Sequence, residues 1–382
     1  MRVKTITISI LLAISLYANA QTQFAVAEKF YSSLSDTLTE QIINSLDKLL
    51  ISIDNEKLDT TLVSNENMDF NRNFFADLKG IEQKDTIQKY FRGQLINLYP
   101  IENKQYLLTL TYTKENEIGR ILTFLAKENN GKIVFASPIQ YNTKYWKSAK
   151  IGTLTYFFPD TIDTKLAESF NQKNIAIAKK LGLPVQNWDV YMCRNYQEVL
   201  QIQGYFYEFT QNGKINSGWI VDPKTLFSVM NDEDFSHDVF HIYAHKIRGE
   251  KRRNYTAEEG IAYLWGNAYY PTGKTGKAPE QKDLVPLLRQ YLQTYKDVML
   301  LDLFEKNPDV LAEYGYPKPI MVKSVISGII CEEIEKQKGE DGIIELIKCG
   351  SGDENYFKSI EKLIGINRDN FNVEVKKLIF SQ

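Results

Sequence analysis

Between Val26 and Ile53, apolar side chains recur at helical spacing (Phe30, Leu34, Leu38, Ile42, Ile43, Leu46, Leu49 and Leu50), with Ser and Asp breaks between them. On a helix of about 3.6 residues per turn such positions share one face, so the segment predicts one or two amphipathic helices. A polar stretch and a further amphipathic segment, 87–98, follow. The period then shortens: 106–112, 120–125 and 132–136 read as antiparallel strands, with Asn129-Asn-Gly131 as a tight turn between the last two. Helices followed by a meander predict an α+β domain that ends near Trp146, and nothing in it has the makings of a catalytic site.

A new strand over 151–158 opens the second half, and Pro159-Asp160 stops it before a helix over 164–181. Next come a strand over 188–192, a short helix from Tyr196, and a strand pair, 218–221 and 225–230. These lead into the apolar-periodic segment Phe235-Ser-His-Asp-Val-Phe-His-Ile-Tyr-Ala-His-Lys-Ile-Arg248, which Gly249 is placed to end. The remainder reads as helices over 257–267, 284–303, 322–336, 343–349, 356–363 and 370–378. The fold class expected is α+β, with an N-terminal α+β domain over 21–148 and a second domain over 149–382 built from a small sheet, a histidine-bearing helix and a helical C-terminal part.

Residues 1–20 read as a secretory signal: Arg2 and Lys4, an apolar run of about a dozen residues, then Ala18-Asn-Ala20 as the cleavage site. That run is shorter than the roughly 20 residues a spanning helix needs, so export to the periplasm or beyond the cell is expected, with no membrane span after cleavage. The signal carries two of the 46 basic residues and none of the 48 acidic ones, which leaves a mature charge of −4. A balance this near neutral argues against a nucleic-acid partner. The three cysteines are too few for a disulfide scaffold, though a single Cys331–Cys349 bridge is open.

All three histidines, His237, His241 and His245, fall within nine positions of one predicted helix. A spacing of four puts neighbours on one face, where two imidazoles can hold one zinc ion. Residues eight apart lie about 12 Å apart along the axis, so only one pair can serve. Asp238 follows His237 and Ile242 follows His241, and a hydrolytic site needs a carboxylate near the activated water, so His237 and His241 are favoured. His245 reads as structural or as a support behind the ligands. Two histidines need a third ligand, and Glu259, with seventeen residues intervening after His241, is the best candidate. Glu258 is the alternative, and Thr256 with Glu259 also fits a capping box. The basic run Lys251-Arg-Arg253 reads as a solvated surface, and Tyr243, Tyr263, Tyr314 and Tyr316 are available as oxyanion donors.

His237-Asp-Val-Phe-His241 followed by Glu259-Gly-Ile-Ala262 resembles the gluzincin zinc metallopeptidases, especially the peptidase MA-like group, whose pattern is HExxH and then Glu-Gly-Leu-Ala or similar. The resemblance runs from the strand at Ile151 to the closing helices, including Ser324-Val-Ile-Ser-Gly-Ile-Ile330 and Gly342-Ile-Ile-Glu-Leu-Ile-Lys348. It implies a gluzincin-like domain, one Zn2+ held by His237, His241 and Glu259, a peptide or protein substrate, and Asp238 as general base. It also implies that an edge strand just before the histidine helix lines the cleft. Where the family has glutamate this chain has Asp238, which holds the carboxylate back by about 1.5 Å. That shortening opens a second expectation, a catalytically impaired peptidase fold that acts as a binding module.

Overall fold

The two hydrophobic periods become the strands and helices of an α+β protein. The computed structural model describes residues 24–55, 57–76, 91–214, 218–222, 224–229, 232–269, 278–316 and 318–381. In chain order the elements are β1 (Phe24–Val26), α1 (Asp36–Asp54), α2 (Met68–Ala76), β2 (Arg92–Ile101), β3 (Gln105–Lys114), β4 (Glu117–Asn129), β5 (Lys132–Ala136) and α3 (Ile139–Asn142). Next are β6 (Lys147–Ile151), β7 (Leu154–Phe158), α4 (Thr164–Lys180), β8 (Trp188–Met192), α5 (Tyr196–Gln203), β9 (Tyr205–Glu208), β10 (Gly218–Asp222) and β11 (Thr225–Ser228). The chain closes with α6 (Ser236–Arg248), α7 (Tyr255–Trp265), α8 (Gln281–Thr294), α9 (Leu300–Lys306), α10 (Val322–Ile347), α11 (Asp353–Ile364) and α12 (Phe371–Ser381). The proposed signal, 1–20, lies outside the described residues. So do 87–90 of the segment read as amphipathic, whose remainder enters β2.

Two compact units share the chain. The first comprises Met1–Lys144 and Gln197–Lys214; the second comprises Tyr145–Tyr196 and Ile215–Gln382. In the first, α1 buries Ile42, Leu46, Leu49, Leu50 and Ile53 along one stripe, and Ser35 caps it by accepting from the Leu38 N–H. Its sheet runs β1-β2-β3-β4-β5, antiparallel except for β1 on β2. The turn between β4 and β5 places Asn130 and Gly131 at φ 50° and 76°, the left-handed backbone a two-residue hairpin needs. Segment 197–214 had been assigned from sequence to the second domain. Instead β9 pairs with the far end of β4, and a buried Arg120–Glu208 ion pair locks that register.

The second unit contains a sheet in the order β10-β11-β8-β7-β6. Strands β11, β8 and β7 run parallel, and β10 and β6 close the edges antiparallel. The strand directly before the histidine helix is therefore interior, and the edge belongs to β10. Because successive side chains alternate across a sheet, Tyr156, Val190 and Leu226 enter the helical core while Phe157, Tyr191 and Phe227 stack on the opposite face.

The single helix predicted over 284–303 is two helices. The chain leaves α8 at Tyr295 and re-enters helix at Leu300, where Asn372 accepts from the Leu301 N–H and lets Leu300, Leu303 and Phe304 turn into the core. Conversely, the segments read as 322–336 and 343–349 run on as α10, broken only at Gly339, whose φ of 65° few other residues tolerate. All three cysteines are free, so no Cys331–Cys349 bridge forms; burial pushes the Cys331 thiol up to about 12 and the Cys349 thiol up to about 11.

Candidate metal centre

Helix α6 buries Val239, Phe240, Tyr243 and Ala244 on one face, which turns His237 and His241, a turn apart, to another. Its first residues are held by acids rather than by a side-chain cap at Phe235. Asp232 accepts from the Asp234 N–H at 2.9 Å, and Asp234 accepts from the Ser236 N–H at 3.1 Å. Lys173, from α4, ties this entry to its surroundings by donating to Asp234 at 2.6 Å, to Glu280 at 2.7 Å and to the Gly266 carbonyl at 3.1 Å. At Gly266 the end of α7 passes over the start of α6 so closely that a Cβ would lie 2.8 Å from the Ala262 carbonyl oxygen and 3.0 Å from the His237 nitrogen. That approach brings the next carbonyl, Asn267, to 2.8 Å from Nδ1 of His237. Nδ1 donates in this contact, which turns Nε2 toward Glu259.

Helix α7 supplies Glu259. Its N-cap is Asn254, which accepts from the Ala257 N–H at 3.0 Å and donates to the Gly350 and Gly352 carbonyls at 2.7 and 2.9 Å. Thr256 is inside the helix, so the capping-box reading of Thr256 and Glu259 fails. Gly260 follows the glutamate for a packing reason: a Cβ there would lie 2.3 Å from Oγ of Ser327 and 2.8 Å from its backbone carbon. Only glycine lets α7 lie this close to α10.

Nε2 of His241 lies 3.1 Å from Nε2 of His237. Glu259 presents one oxygen to each ring, Oε2 at 3.5 Å from His237 and Oε1 at 3.3 Å from His241. Donors at about 2.0–2.1 Å around a tetrahedral ion are roughly 3.4 Å apart, so these spacings fit a single metal. Ligand atoms of His237, His241 and Glu259 all lie within 4.8 Å of one another, the one such group found among the described residues. Both imidazoles and the carboxylate are at least four-fifths buried.

The charges around this group are unusually concentrated. Burial alone would raise the Glu259 carboxyl, but the hydrogen-bonding and charge of His237 and His241 hold it well below the usual carboxylate range. Burial raises the Asp238 carboxyl, with Glu259 adding to the rise, against the opposing pull of His237, His241 and Arg253. Oδ2 of Asp238 is buried without a hydrogen-bond partner. Burial would lower His241, yet Glu258 and Glu259 raise it. Glu258 is fully buried; Arg248 donates to its Oε1 at 2.9 Å, and its Oε2 lies 3.2 Å from Nε of Arg253 and 3.4 Å from Nδ1 of His241.

Arg253 was read from sequence as part of a solvated basic surface, and here the structure corrects the reading. Its guanidinium is 23% exposed, donates to Glu259 and lies 3.1 Å from both ring nitrogens of His241, with Tyr255 stacked against it at 4.5 Å. His245 is exposed one turn further along and stands outside the group. Of the candidate oxyanion donors, Tyr243 is engaged with Gln186 and Asn174, and Tyr263 lies with its ring 5.9 Å from His237. Tyr316 lines a cleft with Lys165, Asp232 and Glu280. Sequence reasoning passed over Tyr269, whose ring is 5.6 Å from His237 and whose φ of 69° is rare for a non-glycine residue. It also passed over Asn267 and Lys173, since neither stands in the motif.

No family model matches the chain, and no curated protein matches it in sequence.

Proposed function

We propose that this chain is an exported zinc-dependent metallopeptidase that hydrolyses peptide bonds in a peptide or protein substrate. The observation that carries the reading is the convergence of His237, His241 and Glu259 at the spacing of a tetrahedral ion, on two helices whose close approach requires Gly266. A divalent metal held there supplies Lewis-acid activation of a water molecule and of the scissile carbonyl.

The protein's own residues do the rest. His237 and His241 offer Nε2 lone pairs, and Glu259 holds the two helices to one charge. Asp238 accepts the proton of the attacking water at its unpartnered Oδ2 and returns it to the leaving amine. A proton acceptor kept in a dry site has a raised pKa, which suits both halves of that exchange.

The contact between Arg253 and Glu259 favours a second reading, a peptidase fold that serves as a binding module, because the guanidinium already supplies positive charge to the ligand set. Substitution at position 238 separates the two. Asp238→Asn should lower peptide cleavage about a hundredfold or more with zinc content unchanged, and unaltered cleavage would remove Asp238 from the reaction. Asp238→Glu, which restores reach, should raise turnover if the native side chain is too short. Absence of cleavage in both native and Asp238→Glu proteins carrying one zinc per chain would favour the binding module.

A further inference from the structure

Two carboxylates stand side by side in Glu258-Glu259, and they face different nitrogens of the same ring. Oε1 of Glu259 is 3.3 Å from Nε2 of His241, on the side of the ligand set; Oε2 of Glu258 is 3.4 Å from Nδ1, on the other side. One imidazole cannot turn both nitrogens to one ion, so a metal bound at Nε2 leaves Nδ1 to Glu258, the acceptor that faces it, with Nη2 of Arg253, a donor 3.1 Å from both ring nitrogens, beside the ring. The carboxylate of Glu258 is wholly buried, and its Oε2 has no hydrogen-bond partner. A buried charge of this kind is costly unless it is paired, and Arg248 and Arg253 supply the pairing.

We propose that Glu258 is the positioning residue of the metal centre: it fixes the His241 ring with the proton on Nδ1 and the lone pair on Nε2. The inference rests on the metal-site reading above and goes beyond it, since Glu258 is neither ligand nor base. The two histidines are then held by unlike partners. His237 gives its Nδ1 proton to a neutral carbonyl, Asn267, at 2.8 Å, and His241 faces an anion. A carboxylate behind a ligating imidazole increases its basicity and restricts its rotation, and removing such a partner typically weakens metal binding about 10–100-fold. Glu258 also faces Nε of Arg253, so one buried carboxylate orients both the ligand and the cation that touches Glu259.

The test uses the full mature chain and zinc ion itself, with dissociation constants from chelator competition. Glu258→Gln should raise the zinc dissociation constant about 10–100-fold. Glu258→Asp keeps the charge for the arginines and withdraws the oxygens by one carbon–carbon bond, so it should fold and raise the constant by a smaller factor. If Glu258→Gln fails to fold, Glu258→Asp decides. Imidazole nitrogen NMR of the zinc-loaded protein provides a readout that simple packing would not move. The Nδ1 proton of His241 should be protected in the parent and lost in Glu258→Gln, with that of His237 unchanged. A folded variant that keeps the parent's zinc affinity and His241 signal overturns the proposal and leaves the metal site standing. A parent chain that binds no zinc overturns both.

Discussion

Two buried ionic clusters flank the start of α6, and they differ in how completely their atoms are used. At the entry, Lys173 sits between Asp234 and Glu280, and the remaining oxygens of Asp232 and Asp234 accept from the Ala278, Asp234 and Ser236 N–H groups. Burial would lower the Lys173 ammonium, but Asp234 and Glu280 outweigh this and raise it. One turn on, around His237 and His241, pairing is incomplete on both sides: Oδ2 of Asp238, Oε2 of Glu258 and Nε of Arg253 are buried without hydrogen bonds. A cluster satisfied from within holds a fold together, whereas the incompletely paired one is where we propose that a metal ion enters.

The sharpest way to break this contrast is to remove ligands. His237→Ala or Glu259→Gln should raise the zinc dissociation constant by about a thousandfold or more, more than loss of an outer partner costs, with little change in the thermal midpoint of the metal-free protein. Elemental analysis and chelator competition read the first effect, and calorimetry reads the second. His245→Ala should change neither. A metal content unaffected by either ligand variant would erase the distinction between the clusters.

The entry cluster should respond in the opposite sense. Lys173→Met leaves Asp234 and Glu280 without their shared cation and should cost about 3 kcal/mol of stability, seen as a lower midpoint of denaturant unfolding. Zinc affinity of the folded fraction should fall much less. A Lys173 variant of unchanged stability would show that the entry cluster is incidental to the fold.

The smallest expected effect is a pH dependence. Burial pushes the Glu233 carboxyl up to about 7 and the Asp232 carboxyl up to about 6. Both folded-state values lie above those of the unfolded chain, so the folded state holds these protons more tightly. Their contribution to stability is fully present below about pH 4 and is lost as pH rises through about 6 and then about 7. With chelator present, the melting temperature should fall by a few degrees across that window, and Glu233→Gln should flatten the slope. A midpoint that rises over the same range in both proteins would contradict these assignments.

Much of the site was legible before any fold was known. A helical period with histidines four apart fixes their common face, and Glu259 before Gly260 stood out as the third-ligand candidate. The reason for the glycine, the Ser327 side chain of α10, was not legible, nor was the partner of each ring. Arg253 looked like part of an exposed basic run because a sequence carries no record of which side of a loop meets the protein. Segment 197–214 looked like part of the second domain because strand pairing with β4 spans some eighty positions.

By itself, the amino-acid sequence determined most element types, the α+β class and the shared face of histidines four apart, since these depend on periodicities local to the chain. Only the tertiary structure decided that Glu259 rather than Glu258 faces the ligand side of His241, that Asn267 holds His237, and that Arg253 enters the group. Those outcomes depend on how α6, α7 and α10 pack, and packing is set by contacts between residues far apart in the chain, which no local pattern encodes.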